Sequence, residues 1–270
     1  MSDWKPRLIA TDMDGTLLRS DDTVSEATRA ELHRWRDDGV PVVLATGRPP
    51  RWMRGMKDLL GHGTAVCCNG AVLLDLAAFE VLHEEALQPE ILREVTAELR
   101  RHQPGTWFAV EYGLEFRHEP IYKPRWDVDA PGVEIATLDE MVAAPVAKLL
   151  ARHEDLARDE FIALVESVVG DRATVTHSSF DALAEISAAG VTKATGIARV
   201  AAEHGVGPED VVVFGDMPND VAAFDWVREG GGRAVAMGHA HPDLLAAATD
   251  VTGSNDDEGV AGFLASLTSS

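Results

Sequence analysis

Short apolar runs alternate with longer amphipathic segments along this chain, and the alternation predicts an α/β fold. Leu8-Ile9-Ala10 and residues 40–45 and 211–214 are continuous apolar runs, typical of strands buried inside a parallel sheet. Residues 25–38 and 192–204 have the mixed polarity of helices, and the first of these ends before Gly39. The pattern therefore predicts a Rossmann-like parallel sheet with helices on both faces.

Shorter patterns complete the predicted core. A helix is expected at about 50–60, and Asn69-Gly70 between the apolar runs 65–68 and 71–75 predicts a hairpin.

A different texture between residues 83 and 188 predicts an inserted α+β cap domain. Helix patterns are followed by pairs of strand patterns, twice in succession, which indicates an antiparallel sheet with helices on one face. We expect residues 1–82 and 189–270 to form the core domain and residues 83–188 the cap. The predicted cap elements are a helix at 89–102, strands at 106–112 and 114–118, a polar loop at 119–134, a strand at 146–151, a helix at 155–169, and strands at 172–177 and 183–187.

Polar side chains follow the predicted strands of the core, at the point where each strand ends. Because parallel strands present their carboxyl ends at one sheet edge, these side chains are expected to lie together. Each also has an ordinary structural explanation, as a helix cap, a turn residue or an acid at a helix N-terminus. The residues are Asp12 and Asp14, Thr46, Lys193 at a helix start, and Asp216, Asn219 and Asp220.

Composition narrows the classes of partner. The formal net charge of −21 argues against nucleic acid or an anionic membrane, since both would be repelled. An anionic substrate would need local positive charge or a metal ion. Cys67 and Cys68 are adjacent, so a disulfide between them is not expected, and they indicate a reducing compartment. The first residues contain no long apolar segment, and a cytoplasmic location is expected.

The order of motifs resembles the haloacid dehalogenase-like superfamily of phosphohydrolases, and in particular its Cof-type members. The resemblance covers both halves of the predicted core, while the insert corresponds in place and element order to the family's larger cap. The motifs are Asp-x-Asp-Gly-Thr from Asp12, Ala-Thr-Gly-Arg around Thr46, Cys-Asn-Gly-Ala from Cys68, Gly-Val-Thr-Lys ending at Lys193, Gly-Asp-x-x-Asn-Asp around Asp216, and the tail 255–261.

The resemblance implies a role for each residue. Asp12 would be the nucleophile that forms an aspartyl phosphate, and Asp14 the general acid and base. Thr46 and Lys193 would hold the phosphoryl oxygens. Mg²⁺ would be bound by the Asp12 carboxylate, the Asp14 backbone carbonyl and Asp216, supported by Asn219 and Asp220. Arg48, Asn69 and Gly70 are candidate substrate-binding residues, and Arg48 and Asn69 could instead orient Asp12.

The implied function is a magnesium-dependent phosphatase acting on small phosphorylated metabolites, such as sugar phosphates or phosphorylated cofactors. Two alternatives stay open: a phosphomutase on the same scaffold and a non-catalytic regulator that binds magnesium and phosphate. The cap is expected to close over the site and to contact the leaving group through residues 111–126 and 177–181. The sequence does not predict the oligomeric state.

Overall fold

Two β-sheets organise the chain. The structure, a computed structural model, describes residues 4–122, 131–177 and 182–268, except for the side chains at positions 57 and 58. Its strands are β1 (Leu8–Thr11), β2 (Val42–Ala45), β3 (Thr64–Cys67), β4 (Val72–Asp75), β5 (Glu80–Glu84), β6 (Trp107–Tyr112), β7 (Glu115–His118), β8 (Val133–Ile135), β9 (Lys148–Arg152), β10 (Ala173–Thr176), β11 (Leu183–Ala188), β12 (Val211–Gly215), β13 (Arg233–Ala236) and β14 (Asp250–Val251).

Helices connect and cover these strands. They are α1 (Glu26–Asp37), α2 (Lys57–Leu60), α3 (Pro89–His102), α4 (Leu138–Met141), α5 (Arg158–Val169), α6 (Lys193–Glu203), α7 (Val221–Gly230), α8 (Pro242–Ala247) and α9 (Gly259–Ser266). Within the described parts of the chain, no helix is both long enough and apolar enough to cross a membrane.

The first sheet has eight strands in the order β14-β13-β12-β1-β2-β3-β4-β5. The strands from β14 to β3 are parallel, and β4 and β5 continue the sheet antiparallel. Every residue of β1 is buried, because the strand lies inside the sheet with helices on both sides. Ile9 joins the apolar cluster that includes α1 and α9, whereas Leu8 joins the cluster that includes α6, α7 and α8. The predicted Rossmann-like core is therefore confirmed.

The second sheet has six strands in the order β10-β11-β9-β6-β7-β8. Its pairs are antiparallel, apart from β7 and β8. One face packs on α3 and α5, with Phe108 and Leu149 of the sheet in the same apolar cluster as Val95 and Phe161 of the helices. The other face carries charged side chains, which are described below. A predominantly antiparallel sheet with helices on one face agrees with the expected α+β cap.

Several elements differ from the sequence prediction. Residues 119–134 were expected to be loop throughout, yet β8 begins at Val133; residues 123–130 lie outside the described parts of the chain. The segment at 50–60 was expected to be one helix, but it is a 3₁₀ helix over Pro50–Met56 followed by the single turn of α2. Gly55 within this segment disfavours regular α-helix, whereas Pro50 occupies the first helical position, where proline is tolerated. The short elements β5, β14, α4 and α8 were not predicted, since two to six residues carry little periodicity.

The Asn69-Gly70 hairpin between β3 and β4 agrees with the prediction, and Cys67 and Cys68 are buried free thiols, as expected. Gly70 has φ +111°, a conformation that side chains rarely adopt, and a Cβ there would lie 2.0 Å from the carbonyl oxygen of Thr192. The hairpin turn and the start of α6 are therefore in direct contact. This contact places Lys193, the first residue of α6, beside the edge of the sheet.

We expect Gly70→Ala to lower the free energy of unfolding by about 3 kcal/mol or more, because it combines backbone strain with a steric clash. The control is Gly262→Ala in α9, where an added Cβ meets nothing within 4 Å. That change should be neutral or stabilise the helix by up to about 1 kcal/mol. Urea unfolding of the three proteins measures both effects, and equal stabilities would contradict the close packing at Gly70.

Candidate active site

Asp12 lies at the carboxyl end of β1, in the middle of the first sheet. Its backbone N–H donates to the carbonyl oxygen of Phe214 at 3.0 Å, so the chain leaves β1 still paired with β12. The side chain is buried, with 6% of the residue exposed. A tight turn over Met13–Leu17 follows, in which Gly15 has φ +75°. A Cβ at Gly15 would lie 2.3 Å from Oδ2 of Asp216, so glycine is required for this close approach.

Lys193 is the cation of this site. Its Nζ donates to Oδ1 of Asp12 and to Oδ1 of Asp220, each at 2.6 Å, and only 1% of its side chain is exposed. Burial disfavours the charged amine, but the neighbouring charges of Asp12 and Asp220 dominate and raise the pKa of Lys193. The lysine is therefore charged and fixed between two carboxylates.

The loop after β12 is tied to the loop after β1. Oδ2 of Asp220 accepts the backbone N–H groups of Asp216 at 3.2 Å and Met217 at 3.1 Å, which fixes the turn. The hydroxyl of Thr16 donates to Oδ1 of Asp216 at 3.1 Å. These bonds hold the carboxylate of Asp216 at the edge of the sheet, next to Asp12.

Three carboxylates meet here with one lysine. Oxygens of Asp12, Asp216 and Asp220 lie within 4.8 Å of one another. Burial raises the pKa of Asp12 well above its usual range; Lys193 opposes the shift, and the charges of Asp220 and Asp216 add to it. Burial and the charge of Asp220 raise the pKa of Asp216 to about 6. The site therefore has more negative charge than its lysine neutralises, which is what a divalent cation would relieve.

The donor set fits Mg²⁺. Carboxylate oxygens are the hard ligands that this ion prefers, usually together with water and substrate oxygens. The side-chain oxygen of Asn219 is buried and has no hydrogen-bond partner among the described residues, so a water molecule held by the ion would satisfy it. Asp220, expected only to support the ion, belongs to the carboxylate group itself. The side chain of Asp14 does not, and the expected role of its backbone carbonyl stays a prediction.

Asp14 lies on the outer side of the site and is paired with Arg48. Nε of Arg48 donates to the two carboxylate oxygens at 3.1 and 2.9 Å, and Nη2 donates to Oδ1 as well. The side chain of Asp14 is 55% exposed. Arg48 was expected to orient Asp12 or to contact substrate; in this structure it holds Asp14 instead.

Thr46 and Asn69 are both buried beside the site. The hydroxyl oxygen of Thr46 accepts a hydrogen bond from the backbone N–H of Arg48 at 3.0 Å. The carbonyl oxygen of Thr46 accepts one from the backbone N–H of Asn69, also at 3.0 Å. The amide of Asn69 contacts Asn219 on one side and Glu185 on the other, and it makes no hydrogen bond to Asp12. Gly70 contacts the start of α6, and its expected substrate contact stays a prediction.

The sequence analysis assigned no role to two further residues near the site, His239 and Glu185. Nε2 of His239 lies 4.0 Å from Oδ2 of Asp216, and Glu185 of β11 reaches Asn69 from the second sheet. The signal for Glu185 was a charged residue between Ala184 and Ile186 in a strand pattern, which places it on the face opposite the apolar core. The signal for His239 was its place shortly after the end of β13, a strand of the same sheet.

Carboxylates and a buried lysine lie together at the carboxyl edge of the parallel sheet, next to the second sheet. This arrangement is typical of an α/β enzyme whose active site lies at the sheet edge. The chain belongs to the haloacid dehalogenase-like hydrolase family, whose model matches residues 9–264. The family expected from the motifs is thereby confirmed.

Curated relatives and solved structures align along nearly the whole chain. It is 27% identical to 5-amino-6-(5-phospho-D-ribitylamino)uracil phosphatase YitU of Bacillus subtilis (strain 168), over 96% of this chain and 97% of the relative. It is also 27% identical to pyridoxal phosphate phosphatase YbhA of Escherichia coli (strain K12), with the same two coverages. A crystal structure of a haloacid dehalogenase-like hydrolase from Bacteroides thetaiotaomicron aligns with a TM-score of 0.77 and 26% identity, over 98% of this chain and 99% of that one.

We expect the affinity for Mg²⁺ to increase as the pH rises through about 6. Below this pH Asp216 carries a proton, because its pKa is raised to about 6, and the ion must displace that proton to bind. If binding releases one proton, the affinity for Mg²⁺ should therefore weaken by up to about tenfold for each pH unit below 6. Calorimetric titrations at pH 5, 6 and 7.5, in buffers of different ionisation enthalpy, measure the affinity and the protons released. Equal affinity at the three pH values, with no proton release, would contradict this account.

Proposed function

We propose that this protein is a magnesium-dependent phosphatase that hydrolyses small phosphorylated metabolites through an aspartyl phosphate on Asp12. The observation that carries the proposal is the position of Asp12: buried at the end of β1, 2.6 Å from Nζ of Lys193 and grouped with Asp216 and Asp220. A carboxylate held beside a fixed cation can attack phosphorus while the cation neutralises the phosphoryl oxygens.

The first half of the reaction transfers the phosphoryl group to Asp12. A carboxylate oxygen of Asp12 forms a bond to phosphorus, the bond from phosphorus to the leaving oxygen breaks, and its electron pair stays on that oxygen. Asp14, the other acid of the motif, donates a proton to the leaving oxygen. Because Arg48 occupies both oxygens of Asp14 in this structure, the guanidinium must move away, at least in part, before Asp14 can reach the substrate.

The second half returns Asp12 to its starting state. Asp14 removes a proton from water, the water oxygen bonds to phosphorus, and the bond between phosphorus and the Asp12 oxygen breaks. Lys193 and the hydroxyl of Thr46 hold the phosphoryl oxygens throughout. The Oγ1 of Thr46 already accepts a hydrogen bond from the backbone of Arg48, so its own hydrogen is available to donate. Positioning and charge neutralisation are the main requirements of such a transfer.

Asp12 and Asp216 would hold Mg²⁺, with Asp220 and Asn219 next to them. When bound, the ion supplies positive charge that offsets the carboxylates and the incoming phosphate. This local charge reconciles an anionic substrate with a chain whose net charge is −21. Lys193 alone cannot provide it, because two carboxylates already share its charge.

The relatives support a small phosphorylated substrate and water as the acceptor. Three that align over most of this chain are named as phosphatases: of a phosphoribitylamino-uracil, of HMP-PP and of pyridoxal phosphate. Their names favour hydrolysis over the mutase alternative, and a complete set of reactive residues disfavours a non-catalytic regulator.

We also propose that residues 83–188 form the cap, that residues 1–82 and 189–270 form the core, and that the cap selects the leaving group. The separate second sheet supports the division, except that β5 extends the first sheet to Glu84, two residues past the expected boundary. Residues 123–126 and 178–181 of the segments expected to contact the leaving group lie outside the described parts of the chain. These contacts stay predictions, as does the cytoplasmic location.

A screen of phosphorylated metabolites with Mg²⁺ tests the proposed function through release of inorganic phosphate. We expect the wild type to hydrolyse a subset of small phosphomonoesters and to lose this activity in excess chelator. Asp12→Asn should reduce kcat by at least about 10³-fold, or about 4 kcal/mol of barrier, because the nucleophile is lost. The control, Asp225→Asn, changes an aspartate paired with Arg228 on the surface of α7 and should retain the activity. Near-wild-type turnover by Asp12→Asn would overturn the assignment of the nucleophile.

A further inference from the structure

The face of the second sheet that lies opposite its apolar core carries buried charges. Glu111 of β6 is the register partner of Lys148 of β9, and Glu185 of β11 lies beside them, opposite Leu150. The side chains of all three residues are between 3% and 6% exposed. This face meets the carboxyl edge of the first sheet, so the two sheets are joined by charged groups.

Lys148 reaches the loop that carries Thr46. Its Nζ donates to Oε2 of Glu185 at 3.0 Å and to the carbonyl oxygen of Gly47 at 2.8 Å. Gly47 lies between Thr46, which is proposed to hold a phosphoryl oxygen, and Arg48, which is paired with Asp14. A charged group of the second sheet therefore contacts the loop that is proposed to bind phosphate.

Glu185 reaches the loop that carries Asp216. Its Oε2 accepts from Nδ2 of Asn69 at 2.7 Å, and Nδ2 also donates to the hydroxyl of Thr176 at 2.9 Å. The Oδ1 of Asn69 in turn accepts from Nδ2 of Asn219 at 3.0 Å. Asn219 directly precedes Asp220, which fixes the turn after β12. Hydrogen bonds thus link the second sheet to Asn219, and the backbone links Asn219 to Asp220 of the candidate magnesium site.

A contribution to the stability of the contact between the two sheets is a weak explanation for this network. A buried ion pair contributes little net stability, because desolvation of the two charges offsets their attraction. Hydrogen bonds to charged groups are, however, directional and about twice as strong as those between neutral groups. Their specific effect here is to fix the orientation of Gly47 and of the Asn69 amide.

We propose that Lys148 and Glu185 are positioning residues for the reaction. When the second sheet lies on the first, their ion pair orients the loop of Thr46 directly and the loop of Asp216 through Asn69 and Asn219. Closure of the cap is thereby coupled to magnesium binding and to phosphoryl transfer. The inference rests on the proposed function of the site, and it adds two cap residues that touch neither the ion nor the reacting atoms.

The first test is the double variant K148M/E185L. It removes both charges together, whereas either single substitution would leave the other charge of the pair buried without its partner. We expect its melting temperature to stay close to that of the wild type. Its dissociation constant for Mg²⁺, measured by calorimetry, should rise about tenfold, the lower end of the effect of outer contacts at metal sites. With a phosphomonoester, kcat should fall about tenfold while KM changes less. The control Glu98→Gln weakens the ion pair with Arg172 inside the cap. It should leave the dissociation constant for Mg²⁺ and kcat unchanged.

The second test is a cycle with Asn69→Ala. If Asn69 relays the effect, the triple variant N69A/K148M/E185L should bind Mg²⁺ as weakly as Asn69→Ala alone, because the link is already broken. Glu185→Gln has the same shape and keeps an oxygen that accepts from Asn69 without the charge. It should weaken Mg²⁺ binding about threefold, an intermediate loss. This variant decides the question by itself if K148M/E185L does not fold.

Wild-type affinity for Mg²⁺ in K148M/E185L, or in Glu185→Gln if the double variant does not fold, would overturn the proposal. Effects that multiply in the triple variant would also overturn it, because Asn69 would then act independently of the ion pair. Failure of the proposed function has a different signature: the wild type releases phosphate from no ester, while the magnesium cycle still gives a result. The two hypotheses can therefore fail separately.

Discussion

The balance of charge around Asp12 is the constraint on which the site depends. Three carboxylates are gathered in a buried space with a single lysine. Burial and mutual repulsion raise the pKa values of Asp12 and Asp216, which means that this arrangement is unfavourable without further positive charge. The fold maintains it with neutral donors, namely the hydroxyl of Thr16 and the backbone N–H groups that Asp220 accepts. Under the proposed function, a divalent cation and then a phosphate would each reduce the imbalance left by the step before.

The parallel sheet makes this balance possible. Asp12 follows β1, Thr46 follows β2 and Asp216 follows β12, three neighbouring strands whose carboxyl ends share one edge. Lys193 approaches the same edge from α6, whose start packs against the turn at Gly70. Residues far apart in sequence are thus brought within hydrogen-bond distance by the order of the strands. The buried contacts to the second sheet add Lys148 and Glu185 to the same edge.

The core strands and the sheet edge that carries the candidate site could be predicted from the sequence. Continuous apolar runs marked β1, β2 and β12, and polar residues directly after them marked the edge, since both signals are local. The pairing of Asp14 with Arg48 could not be predicted, because both residues had reasonable partners elsewhere. The contact of Glu185 with Asn69 depends on how two sheets meet, which no local pattern encodes. Short elements such as β8, which pairs with β7, depend on their partners in the same way.

The central claim is that Asp12 receives the phosphoryl group. The most direct measurement is to mix the enzyme with a hydrolysed substrate and Mg²⁺, quench with acid within milliseconds, and map the added phosphate by peptide mass spectrometry. We predict an acid-stable, base-labile phosphate on the peptide that contains Asp12, formed at the rate of leaving-group release. A phosphate on another residue, or leaving-group release with no phosphorylated enzyme at any time, would contradict it.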